Sequence, residues 1–149
     1  MSQRVPIQVL VYPVRYKDEK WEYLLLKRVE ERGGFWQGVT GAPEKKEKIL
    51  EAAKREFLEE TGFVPEIIFK VDYSYSIDVK DVKSSVYAPD VDTIPEYVFL
   101  ARVREDSIPV LDPVEHTEWK WCTFDEACEL LKWEDNKKAL EVVRSMLVE

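Results

Sequence analysis

A helix with both ends marked, set in mid-chain between strand-like runs, limits this fold more than any other feature. In "GAPEKKEKILEAAKREFLEETGF", Gly41 to Phe63, the residues Ile49, Leu50, Ala53 and Phe57 recur at helical spacing and predict one apolar face from Lys48 to Thr61. Gly62 stands where a left-handed C-terminal cap is wanted, and Pro65 forbids continuation. Upstream, residues 5–16, 21–29 and 35–40 read as strands, although the first run is interrupted by Gln8 and by two prolines, Pro6 and Pro13. Downstream, 67–79, 84–88, 95–103 and 118–122 read the same way. Thr123 and Glu126 have the spacing of a capping box, which opens a helix through "FDEACELL". Ala139, Leu140, Val143, Met146 and Leu147 mark a last amphipathic helix. Helices interleaved with strands must bury their apolar stripes on a sheet, so the expected class is α/β, a mixed sheet covered on its faces by helices.

The 149 residues fit one domain, 1–149, long enough to bury a real core, and 45% apolar content supplies one. A net charge of -8 argues against nucleic acid as a partner, because that mode needs clustered Lys and Arg. No window is long and apolar enough for a membrane helix, and the N-terminus lacks a small-residue cleavage site, so a cytoplasmic protein is expected. Cys122 and Cys128 make neither a metal quartet nor a disulfide framework, and they read as reduced packing residues. Oligomeric state is left open.

The helix also carries a cluster of acids. Glu56, Glu59 and Glu60 stand at i, i+3 and i+4 and project from one side. On the helical wheel Glu60 falls inside the apolar arc, with Glu56 at its border. A solvated ladder of Glu51, Arg55 and Glu59, each four apart, would account for Arg55. It does not account for like charges at 56 and 60, nor for an acid on the apolar stripe, which is costly unless a cation meets it. Three convergent carboxylates, with no basic partner expected on their face, make a hard-oxygen site suited to Mg²⁺, or to Mn²⁺, rather than to Zn²⁺. Magnesium is usually completed by substrate phosphates, which is how an acidic protein can hold a polyanion.

At this point the residues resemble a known family. Gly41-x5-Glu47-x7-Arg55-Glu56-Phe57-x-Glu59-Glu60-x-Gly62-Phe63 is similar to the Nudix box at every position. The resemblance implies the Nudix fold, an α/β/α sandwich around a mixed β-sheet, and hydrolysis of a nucleoside diphosphate linked to another group. It implies that Glu56, Glu59 and Glu60 bind divalent metal, with the carbonyl of Gly41 assisting, and that Glu47 bonds back to Arg55 to orient the metal-binding face. Two positions depart from the common form: Ala42 where a second glycine is usual, and Lys46 where glycine precedes the glutamate. They leave the loop around Pro43 undefined.

Further segments, "FWQGVTGAPE", "VYAPDVDTIPEYVFLA", "PVEHTEWKW" and "DNKKALEVV", resemble the bacterial dATP pyrophosphohydrolases, which also cleave dihydroneopterin triphosphate. "EHTEWKW" is also similar to asymmetrical diadenosine tetraphosphate hydrolases. By this resemblance Glu115 supplies a further metal ligand or the general base, the base remaining open among Glu56, Glu59 and Glu115. His116, the only histidine, reads as structural or as a polar contact. Trp36 and Tyr87 offer aromatic faces to a nucleobase or pterin, and Arg28 a fork for a terminal phosphate. The expected reaction is Mg²⁺-dependent cleavage of a small nucleotide or pterin triphosphate to monophosphate and pyrophosphate. A diadenosine polyphosphate hydrolase and a non-catalytic nucleotide-binding module are the alternatives.

Overall fold

The computed structural model describes residues 4–81 and 86–147. Strand β1 (Gln8–Lys17) turns tightly into β2 (Lys20–Arg28); two short strands, β3 (Trp36–Gln37) and β4 (Val39–Gly41), lead into helix α1 (Ile49–Thr61). Then come β5 (Ile67–Asp78), β6 (Thr93–Arg102), β7 (His116–Cys122) and helices α2 (Phe124–Leu130) and α3 (Glu134–Ser145). The strands run in the order β3-β2-β1-β6-β5, with β4 added to β1 and β7 to β2. The β1–β6 pairing is parallel and the others are antiparallel, so the sheet is mixed, as expected.

Pleating splits the core into two layers. Val9, Val11, Leu24, Leu26, Phe99 and Ala101 pack with Ala52, Ala53 and Phe57 of α1 on one face. Leu10, Tyr12, Val14, Leu25, Val98 and Leu100 pack with Ala127 of α2 and with Ala139, Leu140 and Val143 of α3 on the other. That alternation makes the α/β/α sandwich. Cys122 is buried in the second layer, and both cysteines are free thiols.

Pro13 lies inside the central strand without losing a ladder bond. Val14 spends its carbonyl on Val103 N–H at 2.9 Å toward the β6 side, so the Pro13 nitrogen faces the opposite edge. There the pairing with β4 has ended at Val11 and that with β2 begins at Val14.

Four expectations need correction. The 35–40 run is two strands broken at Gly38, where a Cβ would lie 2.8 Å from the Val11 carbonyl oxygen. Of the run at 84–88, residues 86–88 form no strand and the other two lie outside the described residues. Leu50 is 39% exposed, because the sheet takes the neighbouring arc of Ala52, Ala53 and Phe57. Met146 falls beyond the end of α3 and is exposed.

Candidate active site

The site begins where β4 hands the chain to α1. A Cβ on Gly41 would sit 2.2 Å from Glu56 Cδ, so glycine is what lets the Glu56 carboxylate lie against the strand. The loop between them is tied by Arg55. Its Nε and Nη2 donate to the two carboxylate oxygens of Glu47 at 3.0 and 2.9 Å, and Nη2 also donates to the Ala42 carbonyl at 3.0 Å. This fork holds the Glu47 carboxyl below its ordinary range. Lys46, at the position where glycine is usual, adopts the left-handed conformation with φ 67°. Glu51 spends an oxygen on the Lys48 N–H at 2.9 Å, capping α1 rather than forming a ladder with Arg55.

One expectation about charge fails. Arg55 Nη1 also donates to Glu56 at 2.9 Å and to Glu59 at 3.4 Å, so these acids do have a basic partner beside them. The guanidinium that positions the loop therefore screens the outer edge of the cluster. Glu59 is the most open of the three, 55% exposed and turned toward Arg55, outside the lining of the cleft.

Glu60 is the inner acid. It is 1% exposed, its Oε2 has no hydrogen-bond partner among the described residues, and its Oε1 lies 3.7 Å from His116 Nε2. Both ring nitrogens of His116 are likewise buried without partners. Glu115 completes this group, with one ligand atom from each of the three residues within 4.8 Å of the others. Burial, then the adjacent Glu56, drives the Glu60 carboxyl far above its usual range. Burial, then Arg28 and Arg32, pushes His116 down to about 4, so the imidazole is neutral at pH 7. Glu115 is raised by burial and by Glu56, although Arg32 donates to it at 3.3 Å. A buried acid with an orphaned oxygen, beside a neutral imidazole and two further carboxylates, fits a divalent cation bound through hard oxygens.

These groups stand at one end of a cleft of about 930 Å³, ample for a nucleotide-sized ligand. Arg28 lines it, its pKa lowered by burial and then by Arg32 although the guanidinium stays charged, and it lies 5.5 Å from the centre of the Phe35 ring. Tyr87 also lines it, 5% exposed, with Arg4 6.0 Å from its ring centre. Trp36 does not. Its ring packs into the layer beneath α2 and α3, and its neighbour Phe35 lines the cleft edge-on to Trp133 at 6.1 Å. The sequence carries no signal for Phe35, Trp133, Arg32 or the polar group of Gln8, Tyr75, Glu96 and Asn136, of which Glu96 and Asn136 are buried. β3 begins at Trp36 and is two residues long, so the sequence held no alternation that could have separated Trp36 from Phe35.

The chain is similar to known proteins over most of its length. Residues 5–145 match the NUDIX domain. The chain is 30% identical over 135 residues to a dihydroneopterin triphosphate diphosphatase of Haemophilus influenzae, covering 88% of this chain and 84% of that protein. It is 29% identical over 125 residues to the asymmetrical bis(5'-nucleosyl)-tetraphosphatase of Rattus norvegicus, covering 80% and 76%. Among solved structures, the E. coli dihydroneopterin triphosphate pyrophosphohydrolase superposes with a TM-score of 0.77 at 26% identity, over 97% of this chain and 99% of that one.

Proposed function

The chain belongs to the NUDIX domain family and is a hydrolase of phosphoric anhydride bonds; from that premise we propose that it cleaves a nucleoside or pterin triphosphate to the monophosphate and pyrophosphate. The observation that carries this reading is the partnerless oxygen of Glu60, buried among carboxylates at the end of a nucleotide-sized cleft.

Bound by Glu56, Glu59, Glu60, Glu115 and the Gly41 carbonyl, Mg²⁺ or Mn²⁺ would neutralise the phosphate chain and acidify a bound water. Glu47 and Arg55 act as positioning residues: their paired hydrogen bonds fix the loop and set the Glu56 carboxylate against Gly41. Arg28 and Arg32, both lining the cleft, meet the phosphates furthest from the ring system. Water attacks phosphorus, a P–O bond forms, and the anhydride P–O bond breaks with its electron pair leaving on pyrophosphate after attack at the α-phosphorus, or on the monophosphate after attack at the β-phosphorus. The water proton passes to a carboxylate, and Glu56 and Glu115 face the cleft where Glu59 does not.

A pyrophosphate-release screen over canonical, oxidised and pterin triphosphates with Mg²⁺ tests the reading, run in ¹⁸O-enriched water to locate the attacked phosphorus. Turnover of at least one triphosphate with release of pyrophosphate is expected. Similarity to the rat tetraphosphatase supports a second reading, so diadenosine tetraphosphate belongs in the same screen; its cleavage to ATP and AMP, with triphosphates inert, would replace the first reading. Tight nucleotide binding without turnover would make the protein a binding module.

A further inference from the structure

The cleft holds a second polar group, carried by the strands rather than by α1. Gln8, Glu96 and Tyr75 sit side by side on three adjacent strands, the first two paired in register on β1 and β6 and the last two on β6 and β5. Glu96 is 2% exposed and accepts from Gln8 Nε2 at one oxygen and from the Tyr75 hydroxyl at the other. The Tyr75 hydroxyl in turn accepts from Asn136 Nδ2 at 2.8 Å, and all four residues line the cleft.

A carboxylate buried this deeply is expensive unless a cation or strong donors meet it, and both of its donors here are neutral. Burial leaves Glu96 at about 6, so it is ionised at neutral pH. Each oxygen keeps acceptor capacity beyond its single bond, and the two together form a fork. The rings of Phe35 and Trp133 border the same cleft and offer faces for stacking.

We propose that Glu96, held by Gln8 and Tyr75, is a specificity-determining residue that takes the 2-amino-4-oxopyrimidine edge shared by guanine and pterin, whose two adjacent N–H donors match its two oxygens. The proposal rests on the reading of the acid cluster as the triphosphate end. Adenine offers a donor beside an acceptor on the equivalent edge, and the acceptor would face a carboxylate oxygen. The subsite therefore selects against the adenine ring that the acid cluster alone would admit.

The test needs no variant at first. The full chain with Mg²⁺ is assayed on dGTP, dihydroneopterin triphosphate, dATP and dITP, the last lacking only the 2-amino group of dGTP. Loss of that one donor should lower kcat/KM about 10- to 100-fold, the usual discrimination of a bidentate pair, and dATP should fall with dITP. Glu96→Gln should bring dGTP down to the dITP level. Equal kcat/KM for dGTP and dITP, or a dGTP preference that survives in Glu96→Gln, would overturn the proposal. Should no triphosphate turn over, the reading of the reaction fails instead, and calorimetric affinities for dGTP and dITP still decide the subsite by the same ratio.

Discussion

Glu60 projects from a helix face otherwise built of Ala52, Ala53 and Phe57, and an unpaired carboxylate in such a place is disfavoured by several kcal/mol. Without metal the group therefore keeps its proton at neutral pH, and cation uptake has to release it. Calorimetric Mn²⁺ titrations in buffers of different ionisation enthalpy should show proton release in the native protein and a much smaller release in Glu60→Gln. The same variant should lose at least about 100-fold in turnover, more than the loss typical of supporting residues, while its metal-free circular dichroism stays native. Near-normal activity in Glu60→Gln would remove this residue from the metal-binding set. Lys46 shows strain of another kind. A non-glycine residue at φ 67° is disfavoured by roughly 1–2 kcal/mol, partly offset because glycine loses more entropy on folding. Lys46→Gly should stabilise by about 0.5–1 kcal/mol in urea unfolding, the difference between those two effects.

Helix α1 and strand β4 form a single device, since the strand must be bare at Gly41 for the helix to set Glu56 against it. Gly41→Ala should cost about 1–3 kcal/mol through overpacking and lower kcat about 100-fold, because a displacement near 1 Å suffices for that loss; a variant with unchanged kcat would show that Glu56 has room to move. Elements such as α1 were legible because caps and glycines are local signals. Its rotation was not: a wheel containing Leu50 and one containing Ala52 differ by a fraction of a turn, and the sheet made the choice. Trp36 failed for the same reason, since two residues of β3 present no alternation to count. The acids of the box were readable from spacing on a single helix. The Gln8–Glu96–Tyr75 group was not, because each looks like an ordinary polar residue until strand register places the three side by side.

At the scale of the whole molecule, the same buried acids tie stability to pH. The folded-state pKa of Glu96 is about 6 against an ordinary 4.5, so the native state binds the proton more tightly than the unfolded chain. Its stabilising contribution is thus fully present below the ordinary value and is lost as pH rises through 6, a change of about 2 kcal/mol at 1.36 kcal/mol per unit. His116 acts in the opposite direction: with a folded value near 4 it loses stability as pH falls below its ordinary 6.5. A bare stability profile mixes the two, together with Glu60 and Glu115, which are raised as Glu96 is. Glu96→Gln separates them, because only the Glu96 proton is removed. Urea unfolding of the metal-free proteins at pH 4.5 and pH 7 should show the variant gaining about 1.5 kcal/mol on the native chain between the two, the unfolded carboxyl being already half ionised at pH 4.5. A constant difference would mean that Glu96 ionises in the fold as freely as in water, against the upward shift its burial requires.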